Sequence, residues 1–303
     1  MNKLARKSAP DAGSAVLFDA PGPVTRRRVR IFSVLAAVVG LAVLWWAATR
    51  LADQGQFTQE KWAPLFDPSN SDFPDVWNLI GGGLRNTLTA AVLAIVLSLV
   101  IGTVIGVARL SAGTVTRLPV IVFIEFFRGL PVILTIYLTS KLLPALGIDV
   151  SGLPGGELLW FLVIGLTAYN CVIFAEIIRS GVVSLPKGQR EAALATGLTN
   201  GQTLRLVLLP QAFRVMLPAI ISQIVVVLKD TSLIAILGGY IELLKQGGLL
   251  IQNLNNPIQT YLLIAVIFIL INYTLSKFAE WVQRRVSRTT SGKPAAVGVS
   301  AVV

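Results

Sequence analysis

The sequence predicts an all-α fold, a polytopic membrane protein with six transmembrane helices. Three observations carry that expectation. Of the 303 residues, 54% are hydrophobic and only 14% charged, whereas a soluble domain carries about a quarter charged residues. The apolar residues gather in blocks of roughly 20, the length a helix needs to cross ~30 Å of hydrocarbon. The basic residues collect in alternate segments between those blocks, which is the positive-inside pattern of a chain that crosses repeatedly.

That placement also assigns the net charge of +11 to membrane topology rather than to nucleic acid. With no His and a single Cys, disulfide scaffolds, His-based metal sites and His-dependent triads are excluded, and no metal site is expected. Cys171 lies inside an apolar block and reads as packing.

The N-terminal segment 1–30 is polar and ends in Arg26, Arg27, Arg28 and Arg30. It reads as a cytoplasmic tail with a basic anchor. A cleavable signal peptide is excluded because the following apolar stretch is long and no small-residue cleavage site follows it. The expected spans are 31–49, 84–108, 119–143, 158–178, 212–238 and 259–277.

Loop charge orients them. The loop 50–83 carries Asp53, Glu60, Asp67, Asp72 and Asp75 against Lys61 and the boundary Arg50, so it is expected outside. The connection holding Arg109 and Arg117 is expected inside. Residues 144–157, with Asp149 and Glu157 and no base, fall outside. Residues 179–211, with Arg179, Lys187, Arg190 and Arg205, fall inside. The tail 282–303, with Arg284, Arg285 and Arg288, falls inside again. Both termini are therefore expected in the cytoplasm of a multi-pass protein of the cell membrane.

Two spans contain interruptions. Span three holds Gly129-Leu130-Pro131, and span five holds Pro218 and the polar run Lys229-Asp230-Thr231-Ser232. Polar or non-helical backbone at membrane depth is tolerated only where protein or a water-filled path covers it, so these spans are candidates to line a path.

Ionisable residues within spans usually face a bundle interior. Arg128, Asn170, Lys229, Asp230, Thr231 and Ser232 are the candidate substrate-path residues. Glu125 and Arg128 are spaced to share a helix face, which leaves two readings open. They form a structural ion pair, or Arg128 faces the path. Glu176 and Arg179 have the same spacing and are expected to be a structural pair. Asn170 is either interhelical glue or a path contact.

Between spans four and five lies Gly188-Gln189-Arg190-Glu191-Ala192-Ala193-Leu194-Ala195-Thr196-Gly197. Residues 189–196 favour helix, and Gly197 is placed to end it in a left-handed cap. Thr199 and Gln202 have the form of a capping box, opening a second helix through Leu204, Leu206 and Leu208 to Pro210. The expected product is a cytoplasmic helix-turn-helix. The plainer alternative is an amphipathic loop lying on the membrane.

Glu191-Ala192-Ala193, Gly197, Val207, Leu209 and Pro210 resemble the coupling loop of ABC importer permeases. Only Val207, in place of the commoner Ile, departs from that pattern. Further stretches resemble the polar amino acid branch: Phe127-Arg128-Gly129-Leu130-Pro131, Ala175-Glu176-Ile177-Ile178-Arg179-Ser180-Gly181, Pro186-Lys187-Gly188-Gln189, Leu209-Pro210-Gln211-Ala212 and Lys229-Asp230-Thr231-Ser232-Leu233. The resemblance covers residues 84–281. The whole chain, with Asp19-Ala20-Pro21-Gly22-Pro23, is similar to the permeases of actinobacterial glutamate uptake systems.

The resemblance implies a type I ABC importer permease fold over 84–281, with an extra first helix and the 50–83 loop outside that core. It implies a coupling loop, 188–210, in which Glu191, Ala192, Ala193, Gly197, Leu209 and Pro210 engage a separate ATPase. The implied partners are ATPase subunits, a second permease, an extracytoplasmic binding protein, the lipid bilayer and an amino acid. The chain itself is expected to be non-catalytic and without a cofactor, ATP being bound by the partner. The residues agree: no phosphate-binding loop is present, and the nearest string, Ser291-Gly292-Lys293-Pro294, has Pro294 where a hydroxyl belongs. An ion-coupled transporter using Glu125, Glu176 and Asp230 as relays, or a membrane scaffold, leaves the Glu191–Pro210 segment unexplained.

Overall fold

The computed structural model describes residues 22–237 and 239–288. The expectations for the tail 1–21, including Asp19-Ala20-Pro21, and for residues 289–303 fall outside it. All regular structure among the described residues is helical.

Residues up to Thr58 form one unit and residues from Gln59 onward a second. The first unit is α1, Pro23–Asp53, with Pro23 in its first turn and no buried side chain. It is longer than the expected span 31–49. Arg26, Arg27, Arg28 and Arg30 lie on the helix rather than in a tail, because Pro is preorganised for a first turn and Arg is a good helix former.

The second unit begins with α2 (Gln59–Phe66) and α3 (Phe73–Ser111). The expected loop 50–83 is thus corrected to helix over much of its length. Trp77 Nε1 donates to the Leu65 carbonyl at 3.0 Å, and Leu65 packs with Val76 and Ile80 against Leu243, Leu250 and Ile264. This segment caps its own bundle.

The third expected span is two helices, α4 (Thr114–Gly129) and α5 (Val132–Ala145), bent by 106°. Leu130 and Pro131 sit in extended conformation between them, as Pro131 requires of the residue before it. Five described helices are long and apolar enough to cross a bilayer, and this bent pair, taken as one span, makes six.

Next come α6 (Glu157–Val183), α7 (Lys187–Ala195), α8 (Asn200–Gln202), a π-helical turn (Thr203–Leu208) and α9 (Leu209–Asp230). A 3₁₀ turn (Thr231–Leu233), α10 (Ile234–Leu237), α11 (Leu243–Leu254) and α12 (Pro257–Arg288) complete the chain. The expected tail from 282 is still helix as far as Arg288. Glu280 bonds both Lys277 and Arg284 at 3.1 Å, at spacings of three and four, and such pairs support an exposed helix.

Helix α6 is the centre of the bundle, with buried residues spread from Leu159 to Gly181. It runs parallel to α3, since Gly102 faces Cys171 and Phe174 while Gly106 faces Ala175 and Ile178. The buried face of α3 carries Ala90, Ala94, Ser98, Gly102 and Gly106 at four-residue intervals. In lipid there is no hydrophobic gain in joining two apolar helices, so close van der Waals packing of small residues must hold them. A methyl added at Gly102 would lie 2.6 Å from the Cys171 carbonyl oxygen. The same device recurs at Gly165, where a methyl would meet the Ile136 backbone of α5 at 2.6 Å.

Candidate functional site

The segment from Lys187 to Pro210 is built by local capping. Helix α7 ends at Ala195, and Gly197 takes φ +85°, a left-handed conformation in which a side chain is strained. The turn is closed by Gly197 N–H donating to the Leu194 carbonyl at 3.0 Å. Thr199 then caps α8. Its hydroxyl accepts from Gln202 N–H at 3.3 Å, while the Gln202 side chain accepts from Thr199 N–H at 2.9 Å. The capping box expected at this position is present.

One expectation is corrected. The second helix does not stop at Pro210. It passes through the π-helical turn into α9, so residues Asn200–Leu237 form one long apolar stretch. Pro210 has no N–H to donate to the preceding turn, and the ladder widens there into π register rather than breaking.

Helix α7 folds back on this rod. Arg190 Nη2 donates to Asn200 Oδ1 at 3.0 Å, and Gln211 Nε2 donates to Gln189 Oε1 at 3.2 Å. Of the residues of α7 only Ala193 is buried, and Glu191 and Ala192 are exposed. An exposed, small-residue helix is thereby attached directly to a span.

The spans above it meet at a charged cluster. Glu176 lies between two arginines, bonding Arg109 of α3 through one oxygen and Arg179 Nε at 3.0 Å through the other. Arg117, Glu125 and Arg128 stand near enough to Arg109 to act on it electrostatically. Glu125 and Arg128 form no ion pair among the described residues, and both side chains are exposed. This corrects the paired reading of those two residues.

Asn170 is fully buried. Its amide donates to the Leu166 carbonyl at 2.9 Å and accepts from Gln223 Nε2 at 2.8 Å, joining α6 to α9. That geometry matches the glue reading.

The polar run in the fifth span divides. Lys229 and Ser232 line a groove of about 480 Å³ with Tyr261, Phe268 and Asn272 of α12. Thr231 is fully buried, with its hydroxyl on the Leu228 carbonyl at 2.7 Å. Asp230 is half-buried. Arg128 does not line the same groove.

Ser232 also reaches Glu242, a fully buried residue between the spans that caps α11 by accepting from Leu244 N–H at 2.9 Å and Lys245 N–H at 2.7 Å. Burial pushes the Glu242 carboxyl above its ordinary range, opposed by those two amides and Ser232. The residues on either side of it are tied to α3, by Asn86 Nδ2 on the Ile241 carbonyl at 2.8 Å and by Leu243 N–H on Thr87 Oγ1 at 3.0 Å.

A family model described as the inner membrane component of binding-protein-dependent transport systems matches residues 95–288. The chain belongs to that family. Among curated members of this permease family, it is 37% identical over 237 residues to the glutamate transport system permease protein GluD of Corynebacterium glutamicum. The match covers 78% of this chain and 83% of that one. It is 34% identical to the glutamine transport system permease protein GlnP of Escherichia coli, over 71% of this chain and 97% of that one. A solved amino acid ABC transporter, crystallised with histidines, matches with a TM-score of 0.63 at 27% identity, over 70% of this chain and 96% of that chain. The methionine transporter MetNI shares the fold, with a TM-score of 0.59 at 20% identity.

The chain is therefore a permease subunit of an amino-acid ABC importer with the type I fold. It is a multi-pass, non-catalytic membrane component whose ATP is hydrolysed by a separate ATPase. The matched region of the permease family model includes all of α6 to α12.

Sequence reasoning missed Arg109, Gln223, Thr87 and Glu242 as contacts. In the sequence Arg109 reads only as a topological charge, and nothing local marks a partner 67 residues away. The small-residue face of α3 does carry a signal, the four-residue spacing from Ala90 to Gly106.

Proposed function

We propose that this permease imports an acidic amino acid, glutamate in the first instance, delivered by an extracytoplasmic binding protein. The Glu191–Pro210 segment receives the motion of the ATPase. The observation that carries the reading is the exposed α7, which the Gly197 turn folds back against a rod that runs unbroken from α8 into α9. A push on α7 is transmitted along a helix that ends at the Lys229–Ser232 groove. Glutamate is supported by the likeness to the C. glutamicum glutamate permease and by the cations Lys229 and Arg128, which suit an anionic cargo.

In this reading both termini are cytoplasmic and the partner permease is a paralogue, giving a heterodimer. Glu191, Ala192, Ala193, Gly197, Leu209 and Pro210 form the docking element. Lys229 and Ser232 contact substrate, with Arg128 and Asp230 on the same path. Asn170 and Thr231 hold the surrounding helices in place. Glu176 and Arg179 are structural, and Glu125 belongs to the same charged neighbourhood. No resident cofactor is needed, ATP being bound by the partner.

The test is uptake of labelled glutamate by proteoliposomes containing the permeases, the ATPase and the binding protein. Uptake is expected to require ATP and to be competed by glutamate and aspartate more strongly than by glutamine or cystine. Uptake driven by an ion gradient alone overturns the coupling reading, and stronger competition by glutamine overturns the cargo. Gly197→Val, which forces a β-branched residue into left-handed backbone at roughly 1–2 kcal/mol, is expected to abolish ATP-driven uptake while membrane insertion persists. Unchanged uptake and unchanged co-purification of the ATPase would count against α7 as the docking element.

A further inference from the structure

A cavity of about 300 Å³ lies where the α3–α4 turn faces the coupling segment. Its lining includes Ser111, Gly113, Arg117, Arg190, Asn200 and Thr203, and it contains no acidic residue. The two arginines come from different elements, Arg117 from α4 and Arg190 from α7. They bond neutral oxygens, Arg117 the Ala112 carbonyl at 3.3 Å and Arg190 Asn200 Oδ1 at 3.0 Å. Neither is in an ion pair among the described residues. Two cations thus share one cavity without a counter-charge.

The turn that opens α4 adds a second set of donors. The first turn of α4 opens at Gly113, which has no side chain to cap it, so backbone N–H groups there also await an acceptor. Donors reach the cavity from two separate elements, α4 and α7. That arrangement suits a tetrahedral oxyanion, and the guanidinium fork matches phosphate geometry.

We propose that this cavity binds a phosphate group between Arg117 and Arg190, with the backbone of the first α4 turn beside it. The group comes either from an anionic phospholipid headgroup or from free phosphate. Bound there, it ties the α3–α4 turn to α7 and α8. The site rests on the cavity and its lining, independently of which amino acid is carried.

The test uses the full chain purified in detergent and measured by native mass spectrometry in two arms. One arm titrates inorganic phosphate. The other follows retention of phosphatidylglycerol from mixed phosphatidylglycerol and phosphatidylcholine vesicles. At least one arm is expected to give a single bound phosphate group per chain. Arg117→Gln with Arg190→Gln is expected to weaken it about tenfold or more, each charge-assisted bond being worth roughly that factor. Arg117→Lys with Arg190→Lys keeps the charge and is expected to retain binding, which separates loss of the site from loss of the fold. Binding in the inorganic phosphate arm assigns a soluble ligand, and binding only in the vesicle arm assigns a lipid. No binding in either arm, or equal binding by the double glutamine variant, overturns the proposal.

Discussion

Glu176 bonds two arginines in unequal surroundings. Arg109 is 16% exposed and Arg179 is 35% exposed, so the two contacts differ in value. A partly buried ion pair lies between the surface limit of ~0–1 kcal/mol and the buried limit of ~3–5 kcal/mol. Arg109→Gln is expected to cost roughly 2 kcal/mol, and Arg179→Gln less than about 1 kcal/mol. Thermal unfolding of the purified chain reads the difference, and equal shifts would show that burial does not rank these contacts. The Glu176–Arg179 pair was legible because three-residue spacing fixes a helix neighbour. Arg109 and the Asn170–Gln223 bond were not, because their partners lie 67 and 53 residues apart and meet only when α6 packs on α3 and α9.

At the scale of elements, α3 and α6 are held by contact that only small residues permit. Gly102→Val would drive side-chain atoms into the Cys171 carbonyl and Phe174, where even a methyl approaches to 2.6 Å. The expected result is loss of monodisperse protein from detergent extracts. The same change at Gly40 of α1, where an added methyl meets nothing within 4 Å, is expected to be tolerated. Size-exclusion chromatography of the two variants makes the comparison. The capping residues Gly197, Thr199 and Gln202 were readable locally, because each acts within three or four residues. The continuation of the second helix past Pro210 was not, because a proline allows a stop, a kink or a π turn, and neighbouring packing selects among them.

For the molecule as a whole, the charge pattern carries a topological prediction. Cysteines introduced at Asp67 and Asp149 are expected to react with a membrane-impermeant maleimide on intact cells. Cysteines at Lys187 and Arg284 are expected to react only after permeabilisation. The native Cys171 is buried and should stay silent in both conditions. Labelling of Lys187→Cys on intact cells would reverse the orientation and remove α7 from the ATPase side.

The sequence by itself determined the helical class, the long apolar spans and the capped turn at Gly197–Gln202, because bilayer thickness, backbone satisfaction and helix capping act over a few residues or one span. It also carried enough family likeness to name the permease family, whose model matches residues 95–288. Only the tertiary structure decided that the 50–83 region folds onto the bundle and that the third span is bent at Leu130-Pro131. It also divided the polar run 229–232, sending Lys229 and Ser232 to a groove and Thr231 into the packed interior. The physical reason is the same in each case. These outcomes depend on which helix lies alongside, and no local pattern in a chain records the identity of a neighbour distant in sequence.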